Sequence, residues 1–121
     1  MKNTLSLTLA FGLAMACAPS AGDDAIWTGA SVDCVKWLDG RSNNRAADLE
    51  NYLVGFVDGL ALGSLIEVWK AKNDTLNNER LFRWMDGYCQ SNPRSFVAAG
   101  AITLANERSD GRLKLEIEDV R

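Results

Sequence analysis

Tyr52-Leu53-Val54-Gly55-Phe56-Val57-Asp58-Gly59-Leu60-Ala61-Leu62-Gly63-Ser64-Leu65-Ile66 is the stretch whose reading decides the fold. Asp58 and Ser64 are its only clearly polar members. A helix that is apolar all round is a buried central helix. Asp48 and Glu50 stand near its start and Lys70 and Lys72 near its end, which matches the helix macrodipole at both termini. The pattern predicts a helix over about 46–71. Gly55, Gly59 and Gly63 recur every four residues along one stripe of it. Each glycine costs about 1 kcal/mol relative to alanine in a helix interior. Three in register point to close backbone packing against another helix, either within the chain or across a homodimer seam.

Working outward, Ser31 is a candidate N-cap with Asp33 in the first turn, and Gly40 fits a helix stop, giving a first helix over 31–39. Residues 41–45 read as a polar loop and 73–78 as a turn-rich one. Asn77 or Asn78 caps a helix over 79–90, whose inner face carries Leu81, Phe82, Met85, Tyr88 and Cys89. Asn92-Pro93 reads as a helix start, an N-cap followed by proline at the first position, with the helix running to about Glu107. Four short helices without a strand run make an all-α domain, a small bundle. Leu113, Leu115 and Ile117 alternate with charged residues, a strand period, but one short strand has nothing to pair with. Residues 108–121 are expected to form a charged tail.

The N-terminus has the pattern of an export signal. Met1-Lys2-Asn3 is positive, Leu5 to Ala16 is an apolar run too short to span a bilayer, and Ala14-Met15-Ala16 is a small-residue cleavage signal. The expected layout is a signal peptide over 1–21, a linker over 22–30 and a helical domain over 31–107. Cys17 lies in or beside the removed peptide, or is a lipidated cysteine behind a degenerate lipobox. Either way Cys34 and Cys89 remain, an even count that in an exported chain points to one bridge, with two free thiols as the alternative. The chain-entropy model credits such a bridge with about 4 kcal/mol.

Composition narrows the function. The chain carries 13 Lys and Arg against 16 Asp and Glu, a net charge of −3, and no histidine. No basic cluster exists, which argues against nucleic acid as a partner. Without histidine there is no catalytic triad of the usual kind and no histidine metal site, and bridged cysteines offer no thiolate. No cofactor motif is present. The expectation is a protein that acts by binding, not an enzyme.

Cys34-x-x-Trp37, then Tyr52-x-x-Gly55-Phe56-x-Asp58-Gly59, then Trp84-Met85-Asp86-x-Tyr88-Cys89-x-x-Asn92-Pro93 follow one another in an order that resembles the Rap/Tai-type periplasmic immunity proteins of type VI secretion. A more distant likeness is to the Hde-type acid-stress chaperones. The resemblance covers about Cys34 to Ala105. It implies an all-helical periplasmic domain with a Cys34–Cys89 bridge, often dimeric, that neutralises a secreted effector toxin such as a peptidoglycan amidase. The more distant likeness implies a chaperone activated by acid.

Five residues are candidate partner-binding positions. Asp58 is an ionisable group in an apolar helix, expected to face a groove or to pair with Arg83 or Arg94. Asp86 is similar and more solvent-facing. Trp69 lies near a helix end, where an aromatic is available to a partner. Asn73 and Asp74 belong to the loop 72–78, which with 41–45 is the expected contact region.

Overall fold

The computed structural model describes residues 31–71 and 73–113. The signal peptide, Cys17, the linker and the tail from 114 onward lie outside the described residues. Four helices, α1 (Cys34–Ser42), α2 (Ala47–Ser64), α3 (Asn78–Ser91) and α4 (Val97–Arg108), form a small all-α bundle with one disulfide. A two-stranded antiparallel hairpin, β1 (Lys70–Ala71) and β2 (Asp74–Thr75), sits between α2 and α3, where the sequence reading expected helix and then loop.

The ends of the elements follow from local chemistry. Asp33, not Ser31, caps α1, its carboxylate accepting from the Lys36 N–H at 2.6 Å. Gly40 does not stop that helix. A Cβ there would lie 2.8 Å from the Leu49 side chain, so the glycine leaves room for that leucine of α2 against α1. Asn77 caps α3 through the Arg80 N–H, as its position predicts. α2 stops at Ser64 because Leu65 turns left-handed (φ 55°), and the Ile66 N–H bonds back to the Ala61 carbonyl. Asn92 ends α3 and starts a turn, its carbonyl accepting from the Ser95 N–H at 2.9 Å, but no helix. Its backbone N–H and its side-chain amide both donate to the Tyr88 carbonyl, and α4 begins five residues later at Val97.

The buried central helix is α4. An unbroken run from Val97 through Ile102 is buried, as are Leu104 and Ala105. Small residues there let the other helices close in. A Cβ on Gly100 would lie 2.7 Å from the Tyr88 ring and 2.8 Å from the Met85 sulfur. α2 carries more apolar bulk, yet only Leu53 and Val57 are fully buried along it, and its far side faces solvent. Trp37, Leu53, Val57, Val68, Leu81 and Met85 complete the core around α4.

Two ties hold the N-terminal end of α1 in place. The segment before it pairs with the start of α4, Asp33 opposite Phe96, with Val97 N–H donating to the Val32 carbonyl at 2.8 Å. Cys34 and Cys89 are bridged, with a Cα–Cα distance of 4.9 Å, and both are fully buried. At the other end, the expected tail is packed at its start. Ser109 and Leu113 are buried beneath the turn that follows α4.

Candidate functional site

Three places gather the polar and aromatic side chains singled out in the sequence. The first is the junction of α1, α2 and α3. Arg41 of α1 donates through Nε and Nη2 to the Asp86 carboxylate and through Nη1 to Glu50 Oε1 at 2.6 Å. Trp37 Nε1 donates to Asp86 Oδ1 at 2.8 Å. The guanidinium also lies 5.9 Å from the Trp37 ring and 5.7 Å from the Phe82 ring. The Asp86 hydrogen bond first, then that to Glu50, raises the Arg41 pKa above its ordinary value against the opposing effect of burial. Asp86 is therefore half-buried and fully engaged, not the solvent-facing residue expected. Leu38, Ser42, Asn44 and Gln90 join Arg41 and Asp86 around an open hollow of about 400 Å³ beside it.

The second place is the hairpin. Asp74 accepts from Arg80 Nη1 at 2.5 Å and from Arg108 Nη1 at 3.2 Å. Arg108 also donates to the Val68, Trp69 and Asp74 carbonyls, so the end of α4 clasps the hairpin. The Arg80 hydrogen bond, then that of Arg108, pulls the Asp74 carboxyl from 3.8 down to about 2. Asn73 is exposed at the turn.

The third place is the outward face of α2. Asp58 is exposed and accepts from Trp69 Nε1 at 2.7 Å, so its partner is the indole and neither Arg83 nor Arg94. Arg83 pairs with Glu79 one turn away. Gly55, Gly59 and Gly63 lie on this same side, and a Cβ built on any of them would meet nothing within 4 Å. The glycines do not admit a neighbouring helix of this chain. The Tyr52 and Phe56 rings, half-buried and 6.0 Å apart, flank the glycine line, and burial raises the Tyr52 pKa. Leu62 is 77% exposed and Leu65 92%.

Of the five predicted positions, the structure joins Asp58 to Trp69 directly. It sets Asp74 and Asn73 in the hairpin just beyond Trp69, and leaves Asp86 at the α1–α3 junction. Arg41, Glu50 and Arg108 escaped the sequence reading. Their partners lie at sequence distances of 45, 9 and 34 or more, which no local pattern marks. Among the described residues no group of three or more Asp, Glu or Cys side chains is placed to hold a metal ion, and no helix is long and apolar enough to cross a membrane.

No family model, no curated protein and no solved structure matches this chain. The three places must therefore be told apart by their own chemistry. At the junction and at the hairpin the charges are consumed inside the fold: each carboxylate already holds an arginine. The α2 face is different. Its open glycines and exposed leucines gain no packing within the domain, while Tyr52 and Phe56 pack against the core and leave part of each ring exposed.

Proposed function

We propose that this chain is an exported, immunity-type inhibitor that works in the periplasm, binding a secreted effector enzyme such as a peptidoglycan amidase and covering its catalytic cleft. The observation that supports this reading is the α2 face. Gly55 and Gly59 in the interior of α2 weaken the helix by about 1 kcal/mol each and gain no packing in return, Gly63 in its last turn is equally open, and two large leucines stand in solvent beside them. A domain that retains such a surface has a use for it outside itself. The buried Cys34–Cys89 bridge suits an oxidising compartment, where a small domain benefits from a covalent tie. Inhibition by occlusion requires no chemistry from the inhibitor, only a rigid surface.

The Hde-like chaperone reading has weaker support. It needs acid near pH 4 to loosen the fold, and the carboxylate that clasps the hairpin stays ionised until about pH 2.

Tagged residues 22–121, incubated at pH 7 with periplasmic and secreted proteins of the native host, test the reading. One stoichiometric partner whose wall-hydrolysing activity falls on addition of the domain is the expected result. A mixture of abundant proteins, or a partner whose activity is untouched, would refute it.

A further inference from the structure

The binding reading leaves open which surface meets the partner and what that partner presents. We propose that the outward face of α2 is the docking surface, and that its occupant is a helix of the partner bearing lysine or arginine on either side of a ridge of small side chains. This rests on the reading above and goes further in fixing the surface and its chemistry.

Shape is the first ground. Gly55, Gly59 and Gly63 are spaced four apart, so their bare backbone forms a shallow furrow along the helix. Tyr52 and Phe56 wall one side, and Asp58, held by Trp69, stands on the other. A helix of 18 residues is about 27 Å long. The furrow from Gly55 to Gly63 takes up about 12 Å of it, room for the ridge of another helix, and glycine allows backbones to approach.

Charge is the second ground, and it selects the occupant. From Ala46 through Trp69 the chain has no lysine or arginine, but it has Asp48, Glu50, Asp58 and Glu67. Glu50 is neutralised by Arg41. Asp48, Asp58 and Glu67 are exposed, and none of them forms an ion pair among the described residues. Asp58 flanks the furrow, Asp48 stands two turns before Gly55, and Glu67, which accepts from the Lys70 N–H, follows its end. A second copy of this chain would bring the same carboxylates against these, with no cation from its own α2 to offset them. A basic helix supplies what the face lacks, and an enzyme that works on an anionic polymer carries basic surface of this kind.

The test uses the mature chain, 22–121, and two synthetic helical peptides, each an alanine ridge flanked by lysine in one and by glutamate in the other. Binding is followed by amide chemical shifts in two-dimensional NMR. The lysine peptide is expected to shift α2 residues around Gly59, to bind at least about tenfold more tightly than the glutamate peptide, and to weaken with salt. Gly59→Leu fills the furrow without touching the fold, since nothing lies within 4 Å of that position. It should abolish the shifts while the melting temperature holds or rises. Equal affinity for the two peptides, no binding, or shifts on another face would overturn the proposal. So would concentration-dependent dimers in sedimentation that Gly59→Leu dissolves, which would make a second copy the occupant. Failure here is separable from failure of the functional reading. If wild-type protein captures and inhibits an effector and Gly59→Leu does so equally well, the surface is wrong and the function stands.

Discussion

Gly100 and Gly59 are the same residue in the middle of two helices of one small domain, and they are there for opposite reasons. At Gly100 the absent side chain is filled by the Tyr88 ring and the Met85 thioether. At Gly59 it is filled by nothing. The first glycine supports the packing of α3 on α4, because a methyl group there would push against the Tyr88 ring and the Met85 thioether. The second is a liability to folding, with no compensation inside the domain. The molecule divides along this line into a side where α1, α3 and α4 consume their charges, rings and cysteines internally, and the outer face of α2, which is left open.

The largest expected effect tests the closed side as a whole. Replacing Cys34 and Cys89 by serine should remove about 4 kcal/mol, a large share of the 5–15 kcal/mol typical of a domain. Urea unfolding monitored by tryptophan fluorescence should show the midpoint falling by about a quarter or more. A variant within about 1 kcal/mol of wild type would mean that the junction around Arg41 holds α1 in place without the bridge.

Gly100→Ala comes next. Overpacking in a filled core costs about 1–3 kcal/mol, and alanine returns about 1 kcal/mol of helix propensity. The net is a loss of about 1 kcal/mol, softened by the flexible Met85 and enforced by Tyr88, whose hydroxyl is fixed to Ser95 Oγ at 2.9 Å. Gly59→Ala should go the other way, stabilising the domain by about 0.5–1 kcal/mol, a rise in Tm of roughly 4 °C. Thermal melts of the two variants side by side decide the matter. If both destabilise, α2 is packed on both sides in solution and the contrast between the two glycines collapses.

Why the sequence blurred this contrast can be said in physical terms. Cysteine count, a charge-complemented helix and an asparagine at a helix entrance are local signals, and they led to the bridge, to α2 and to the Asn77 cap. Burial is not local. α2 looks like the central helix because its side chains are large, whereas alanine-rich α4 occupies the centre because its side chains are small enough to be surrounded. The Asp58–Trp69 bond depends on a reversal at Leu65, and a leucine in left-handed conformation leaves no mark in a sequence. Asn92-Pro93 misleads because asparagine serves a helix exit as readily as an entrance. Here its amide bonds backward to Tyr88, not forward to a new helix. At the candidate site, Asp58 and Trp69 were legible as residues but not as a pair, and the openness of the glycine furrow needed coordinates.

The smallest effect concerns the hairpin that joins the two sides. Asp74 is drawn down to about 2 by Arg80 and Arg108, from an ordinary value of 3.8. A carboxylate with a depressed folded pKa lends stability above its unfolded pKa and loses it as pH falls through the folded one. The clasp should therefore be whole at pH 5, persist through pH 4 and fail only toward pH 2. Because the pair is solvent-exposed, the contribution is modest and shrinks with salt. Wild type and Asp74→Asn, melted in parallel from pH 7 to pH 2, should differ at neutral pH and converge at the acid end. Convergence already at pH 4 would place the Asp74 pKa near its ordinary value. It would also restore acid loosening of the hairpin as a way of uncovering Trp69 and the end of α2, the event an acid-activated chaperone requires. Divergence maintained through pH 4 keeps the α2 face a fixed surface, ready at neutral pH, as a stoichiometric inhibitor needs.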